Sequence, residues 1–403
     1  MKHSGIVRAL ATLTTVVVVV AACSSAATTQ PASAAPSTAP SSASTAPSSA
    51  STAPSSASTA PSSAASAPAK MYTIGYSNGG GVGNGFREEQ MCTARAQALV
   101  SGQVSQITVT SRNTDAAGQL QDIRDLIAKG VNAIVFNPND PTALNPALAE
   151  AHAAGIVTVA VDSYVTDPNT YNLYNNQVQY AYLGAKWLFQ QMGGTGTVYY
   201  MRGLAGNSAD SDRDKGFKQA LAQFPNIKVT PPAGVATGWD PATTTKLINN
   251  FIASGQYDSI QGIWTSGMDS MVVSAIQTAG KKQVPLVGAD LGAFVTQLLN
   301  PTGYPGLKGV AVTNTAGVGG AGVSLALKLL NGQTVQGDPS ASQPNTILLT
   351  PVAVDNLTAA GKAQLKSWQS VPGLNPTWPL GIQIANWTTY TPDQAIACKG
   401  PGQ

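Results

Sequence analysis

Between Ala133 and Tyr164 the chain reads AIVFNPND, then PTALNPALAEAHAAG, then IVTVAVDSY. The apolar run Ala133 to Phe136, rich in β-branched residues, predicts a buried strand. Asn137-Pro138-Asn139-Asp140-Pro141 is turn chemistry, and Pro141 can open a helix because its missing N–H is not needed there. Leu144, Ala147, Leu148 and Ala151 follow at helical spacing, and Gly155 closes the helix. Ile156 to Val161 is a second buried strand that ends on Asp162. This is a right-handed parallel βαβ unit with polar residues at the carboxyl ends of both strands. Ligands bind at those ends in open α/β sheets, so Asn137 and Asp162 are the first two candidate site residues. The alternative makes Asn137 a turn residue and Asp162 a helix cap.

The pattern extends in both directions. Tyr72 to Tyr76 is a strand, about Phe86 to Val100 a helix and Ile107 to Thr110 a strand. Asp115 caps a helix whose stripe is Leu120, Ile123, Leu126 and Ile127. Then the alternation restarts: helices at 177–192, 209–223, 241–253, 269–279 and 319–330, strands at 197–201, 227–229, 262–264, 285–289 and 310–312, and a last strand at 347–354. Strands alternating with helices at this spacing mean doubly wound parallel sheets, and two successive halves mean two lobes facing a cleft. The folded part, 71 to 403, is longer than one ordinary core and agrees with two lobes. The tail beyond Asn356 carries a possible helix and then Trp378, Trp387, Tyr390 and Cys398 without clear periodicity.

The front of the chain is different. Residues 1–22 carry Lys2 and Arg8, then an apolar run to Ala22, and read as a signal peptide rather than a spanning helix. Val20-Ala21-Ala22-Cys23 resembles the lipobox of bacterial lipoproteins, which makes Cys23 the expected lipidated residue. Residues 23–70 are almost wholly Ser, Thr, Ala and Pro, with STAPSSA repeating from Ser37, Ser44, Ser51 and Ser58. Such a segment buries no core and is expected to be a disordered tether. Its 46 residues after Cys23 would reach roughly 35–40 Å as a coil and ~140 Å as polyproline II.

Several function classes drop out. Of the 22 Lys and Arg, three precede residue 71, and all 19 Asp and Glu follow it, so the folded part is balanced and shows no basic stripe for nucleic acid. The glycines of Ser77 to Gly85 fail the dinucleotide fingerprint, since no register places them at its three positions and no acidic residue follows at ribose distance. They predict a flexible loop at a cleft mouth. His152 is the only histidine beyond residue 3, no Cys/His cluster suits zinc, and no Gly-x-Ser-x-Gly elbow exists. No enzyme, metal or cofactor is expected. Cys92 and Cys398, the only cysteines of the folded part, are expected to pair in an oxidising compartment, the alternative being two buried free thiols.

The segments DAAGQLQDIRDLIAKGVNAIVFNPNDPTAL, AEAHAAGIVTVAVD, RGLAGNSADSDRDKGFKQAL and Val287-Gly288-Ala289-Asp290 together resemble, in order and spacing, the ribose-binding type of periplasmic binding protein, over about residues 72–355. The resemblance implies two doubly wound parallel-sheet lobes joined by a three-strand hinge, with crossings near Tyr174–Asn176, Thr313–Thr315 and Gln343–Ile347. It implies an N-terminal lobe of 71–175 plus 315–345 and a C-terminal lobe of 176–314 plus 346–403. The family's ligand positions fall on Asn84, Phe86, Arg87, Asn137, Asp162, Asn176, Arg213, Trp239, Asp290 and Asn314. For Arg213 a structural salt bridge within its helix, and for Trp239 core packing, compete with that role. Ser163 stands where ribose binders have Arg, and Met268 where the family often has Asn. Carboxylates, Arg and amides suit hydroxyls, and Phe86 and Trp239 suit the apolar faces of a sugar ring. The implied protein is a monomer on the outer face of the cell membrane, lipid-anchored, that captures a monosaccharide or polyol and delivers it to ABC transporter permease subunits. The same fold also serves sugar-sensing receptors that report to a membrane partner. A repressor of the lactose type is excluded by the signal peptide.

Overall fold

The computed structural model describes residues 70–80 and 83–402. The expected signal peptide, Cys23 and all of the expected tether except Lys70 lie outside the described residues. No helix among those described is long and apolar enough to cross a membrane.

The chain opens with β1 (Tyr72–Asn78), α1 (Gly85–Val100), β2 (Val104–Ser111), α2 (Ala116–Ala128), β3 (Ala133–Asn137), α3 (Asn145–Ala153), β4 (Val157–Val161) and β5 (Tyr171–Asn175). It continues through α4 (Gln177–Gln191), β6 (Thr195–Arg202), α5 (Ser208–Leu221), β7 (Asn226–Ala236), α6 (Pro241–Ala253), β8 (Gly262–Thr265), α7 (Asp269–Thr278), β9 (Leu286–Ala289), α8 (Gly292–Leu298) and β10 (Gly309–Val312). The last elements are α9 (Val318–Leu330), β11 (Thr346–Leu349), β12 (Ala353–Asp355), α10 (Ala359–Trp368) and α11 (Pro392–Ala397). Two six-stranded sheets result, in the orders β11-β5-β4-β3-β1-β2 and β12-β10-β9-β8-β6-β7. The first sheet is parallel throughout. In the second only β12 runs antiparallel, against β10. Both have the strand-order reversal that puts a crevice at the carboxyl ends of the strands.

The strands are buried because helices cover both faces. In the first lobe, Ile74, Val135, Val159 and Val161 pack toward α1 and α9, while Ile134, Phe136 and Ala160 pack toward α2 and α3. In the second, Val198, Tyr200, Ile263, Trp264 and Val287 sit between α4 and α5 on one side and α6 to α8 on the other. The α4–α5 contact is close enough that a Cβ on Gly216 would collide with the Val178 carbonyl.

The structure departs from the sequence reading in four places. First, α3 begins at Asn145 rather than Pro141, because Asp140 Oδ1 accepts from the Thr142 and Ala143 N–H groups at 2.8 and 2.7 Å and holds a separate turn. Second, the expected strand 347–354 is two strands. Pro351 cannot donate to a ladder, and there the chain leaves β11 in the first sheet for β12 in the second. The third crossing is therefore at 350–352, not near 343–347, and residues 346–349 belong to the N-terminal lobe. Third, β5 and α8 were not anticipated. Finally, the tail does not stay on the C-terminal lobe. Leu291 bridges Pro379 on the second lobe, and Leu380 N–H donates to the Asp290 carbonyl at 2.9 Å. Thr315 then donates its hydroxyl to the Gly381 carbonyl at the hinge. Beyond it, Gln97 of α1 exchanges hydrogen bonds with Thr389, and Cys398 forms a disulfide with Cys92. The tail is a strap over both lobes that ends fastened to α1.

Candidate binding cleft

The lobes meet through direct hydrogen bonds. Asn84 Nδ2 donates to the Trp239 carbonyl at 3.1 Å, Asn207 Nδ2 to the Pro138 carbonyl at 3.0 Å, and Tyr164 N–H to Ser208 Oγ at 3.0 Å. Between them lies a cavity, part of it open to solvent. Asn84, Phe86, Arg87 and Asp162 line it from the first lobe, and Asn314 from the second crossing. Arg213, Trp239 and Ser266 line it from the second lobe, with Met268, Ala289 and Leu291 as an apolar portion of that wall.

Each polar group is aimed by a partner. Asn84 is the N-cap of α1, its Oδ1 accepting from Arg87 N–H at 3.2 Å. Arg87 Nη1 donates to Asn78 Oδ1 at 2.7 Å, and Asn78 Nδ2 donates back to the Arg87 carbonyl, tying the guanidinium to the end of β1. Asp162 leaves β4 at positive φ (66°), which Asp tolerates better than most residues. Its Oδ2 accepts from Asn137 Nδ2 at 3.2 Å and its Oδ1 from Gln177 Nε2 at 3.4 Å. Burial pushes the Asp162 carboxyl up, and the Arg213 and Arg87 guanidiniums, one from each lobe, oppose that rise. Burial likewise pulls Arg87 down. Arg213 lies over the Tyr180 ring, its guanidinium carbon 4.2 Å from the ring centroid, and donates from Nε to Gln177 Oε1 at 2.8 Å and from Nη1 to the Ser266 carbonyl at 2.6 Å. Trp239 Nε1 donates to that same carbonyl at 2.9 Å. Arg213 is thus part of an interlobe network rather than of a salt bridge within its helix, and Trp239 is a cavity wall rather than core.

Three residues expected on the ligand stand elsewhere. Asn137 is fully buried behind Asp162, which it orients while donating also to Gln90 Oε1 at 2.9 Å. Asn176 caps α4, accepting from Gln179 N–H at 2.9 Å, and faces away from the cavity. Asp290 lies between two lining residues but does not itself line the cavity. Its Oδ1 accepts from Asn314 N–H at 2.9 Å and its Oδ2 lies beside Gly381 of the strap. Burial pushes its carboxyl up to about 6. The residue that sequence reasoning missed is Gln177. Its amide donates to Asp162 and, at 3.1 Å, to Asn314 Oδ1, while its oxygen takes the Arg213 bond, so one side chain joins both lobes and a crossing. Ser266 and Leu291 were missed as well, lying on turns after β8 and β9 with no pattern to mark them.

Among the described residues no cluster of three or more His, Cys, Asp or Glu side chains could hold a metal. The cavity offers hydrogen-bond donors, a carboxylate and apolar faces, and among the residues that line it no nucleophile is paired with a base. It is built to hold a small polar molecule.

The periplasmic binding protein domain family matches residues 74–334. The xylitol-binding protein of Mycolicibacterium smegmatis is 28% identical over 237 residues, 58% of this chain and 66% of that protein, so the chain spans just under two thirds of it. The ribose import binding protein of Salmonella typhimurium is 25% identical over 57% of this chain and 76% of its own. The crystal structure of an ABC transporter solute binding protein from Thermobispora bispora superposes with a TM-score of 0.66 at 26% identity, covering 77% of this chain and 90% of that one. These relatives are binding proteins, not enzymes. With two parallel-sheet lobes around a cleft and a family match over more than half its length, the chain belongs to the periplasmic binding protein domain family.

Proposed function

We propose that this protein is an extracytoplasmic lipoprotein, anchored through Cys23, that captures an uncharged monosaccharide or similar polyol between its lobes and delivers it to the permease of an ABC transporter. The observation that carries the reading is Asp162, an acceptor at the wall of a cavity that Arg87 and Arg213 also line from opposite lobes. A carboxylate accepts from two hydroxyls at roughly 1.5–3 kcal/mol per bond, and guanidiniums donate to the ring and hydroxyl oxygens. Phe86 and the Trp239 indole supply the surfaces for C–H faces. Asp162 faces the charge of both guanidiniums, and the buried Asp269 carboxyl also interacts with Arg213, so the cleft does not call for a charged ligand. The names of the relatives, for a pentitol and a pentose, agree with a ligand of this size.

A thermal-shift screen against monosaccharides and polyols, followed by calorimetric titration of any hit, tests the reading. A ligand that binds only the folded form raises the melting temperature. Asp162→Ala should weaken the hit at least about tenfold, which needs only ~1.4 kcal/mol. No stabilisation by any sugar or polyol would refute the proposal. The anchor is tested separately, since Cys23→Ser should move the protein from membranes to the soluble fraction.

A further inference from the structure

Among the described residues six non-glycine residues have positive φ, and three of them line the same cleft cavity: Asp162 at 66°, Trp239 at 52° and Met268 at 68°. Sparsely populated backbone conformations of this kind collect where a site must hold a side chain in place. For Asp162 the conformation is a mild demand, because Asp is enriched there. For Met268 it is not. An unbranched thioether gains nothing in the left-handed region, where Asn and Gly are at home.

Met268 is also the N-cap of α7, and it makes no side-chain capping bond. Ser, Thr, Asp or Asn would satisfy a free N–H of the first turn at that position. Two local rules therefore ask for a small polar residue, and the side chain that stands there meets neither. What the Met268 side chain does is face the cavity, almost wholly buried, on the same wall as Ala289 and Leu291. The nearest polar group on that turn, Ser266, is already engaged: its carbonyl takes Arg213 and Trp239, and its hydroxyl accepts from both at 3.1 and 3.2 Å.

We propose that Met268, with Ala289 and Leu291, is the specificity wall of the cleft, and that it receives a ligand carbon bearing no hydroxyl, so that the ligand is a deoxy sugar or deoxy polyol. The proposal rests on reading the cleft as a sugar site and narrows it. A methyl or methylene against this wall loses water and gains contact. A hydroxyl there would exchange water for the carbon surfaces of Met268, Ala289 and Leu291, a loss large enough to discriminate about tenfold or more between ligands that differ in one oxygen.

The test is calorimetric titration of the folded protein with matched pairs that differ only in one oxygen: L-fucose and L-galactose, D-fucose and D-galactose, L-rhamnose and L-mannose, 2-deoxyribose and ribose. In whichever pair binds, the deoxy member should bind about tenfold or more tightly. Met268→Asn supplies the second arm. It suits the left-handed backbone and can cap α7, so the unliganded variant should melt no lower than the parent, while its preference for the deoxy member shrinks or reverses. Equal or tighter binding of the hydroxylated member by the parent, or an unchanged preference in Met268→Asn, overturns the wall's role. Binding confined to fully hydroxylated sugars or polyols overturns it too and leaves the sugar reading standing. Failure of every sugar and polyol to bind removes both.

Discussion

Asn84 makes two hydrogen bonds of opposite sense: its Oδ1 caps α1 on the first lobe, and its Nδ2 donates across the cleft to the Trp239 carbonyl on the second. The two can be separated by one substitution. Asn84→Asp keeps an oxygen for the Arg87 N–H and loses the donor to Trp239. Its melting temperature should therefore stay near that of the parent, while affinity for the sugar ligand falls about three- to tenfold, the worth of one ordinary hydrogen bond to the closed state. Asn84→Ala removes both and should add a stability loss of about 1 kcal/mol. Equal affinity for parent and Asn84→Asp would mean that the cross-lobe bond does not help hold the closed form.

Gln177 gives a second, sharper case. Its amide serves Asp162 and Asn314 and its oxygen takes Arg213, all of them buried. Gln177→Ala strands Asp162 Oδ1 and the Arg213 Nε–H, while Asn314 Oδ1 keeps its bond from Asn175 Nδ2, and the cost of leaving each of the two unmatched is about 1–3 kcal/mol unless water enters. The expected result is a lower melting temperature together with weaker ligand binding, because Asp162 and Arg213 lose their fixed orientation. Gln177→Glu restores the acceptor for Arg213 but faces Asp162 with a second carboxylate, so it should recover stability only in part. Denaturant melts and titration of the same preparations read both quantities. A variant that loses stability with unchanged affinity would confine Gln177 to a structural role.

The miss at Gln177 has a plain physical cause. Asn175, Asn176 and Gln177 are three adjacent polar residues at the crossing from β5 to α4. Side chains leaving a strand alternate sides, so Asn175 and Gln177 point into the hinge, and Asn176 points out and caps α4. Choosing Asn176 required knowing where β5 ends, and β5 itself was invisible because YNLYN mixes Tyr, Asn and Leu in no clean period. The opposite holds for Ala133 to Asp162. There two all-apolar strands with a helical stripe between them leave one topology, and both the sheet order and the position of Asp162 follow from it. Long-range contacts were the limit elsewhere. Nothing local in Asn356 to Gln403 says that the segment returns to α1 or that Gly381 lies beside the Asp290 carboxyl. Arg213 was legible only through the family resemblance, with a salt bridge within its helix as the alternative, and its partner Gln177 was not legible at all.

The strap makes the disulfide worth testing. Cys92 and Cys398 lie 306 residues apart in sequence, and in the chain-entropy account a closure this long stabilises by about 5 kcal/mol. Between its fastened end and the second lobe, the strap holds Ile382 and Tyr390 fully or nearly buried against α1 and α9, with Tyr390 Oη donating to the Ile382 carbonyl at 2.7 Å. Cys92→Ser should lower the melting temperature clearly and raise amide hydrogen exchange first in 382–398, before the sheets open. Thiol titration of unreduced, unfolded protein should find neither Cys92 nor Cys398. Titration of both as free thiols would refute the pairing.

The last expectation concerns pH. Asp212, on α5 beside Tyr164 and Tyr174, has its carboxyl pushed up to about 6 by burial, with Lys215 opposing the rise. In the unfolded chain an Asp titrates near 3.9. The folded protein therefore keeps this proton longer than the unfolded one, and stability must fall wherever that difference exists. Below about pH 4 both states hold the proton and nothing is lost. From about pH 4 to 6 the unfolded chain releases it first and stability declines, and above about pH 6 the loss is complete. Asp212→Asn removes the ionisation and should raise the melting temperature relative to the parent at pH 7, with the gain shrinking to nothing by pH 4. Asp269, pushed up to about 7 by burial beneath Thr265, and Asp290 contribute declines of the same sign and remain in the variant, so the parent's pH dependence should flatten without disappearing. Because Asp212 lies outside the cleft cavity, ligand affinity at pH 7 should be unchanged, which separates this effect from that of Asp162. Melting curves of both proteins at half-unit steps of pH decide the matter: a gain that is constant across the range would show that Asp212 is not held in an unfavourable ionised state.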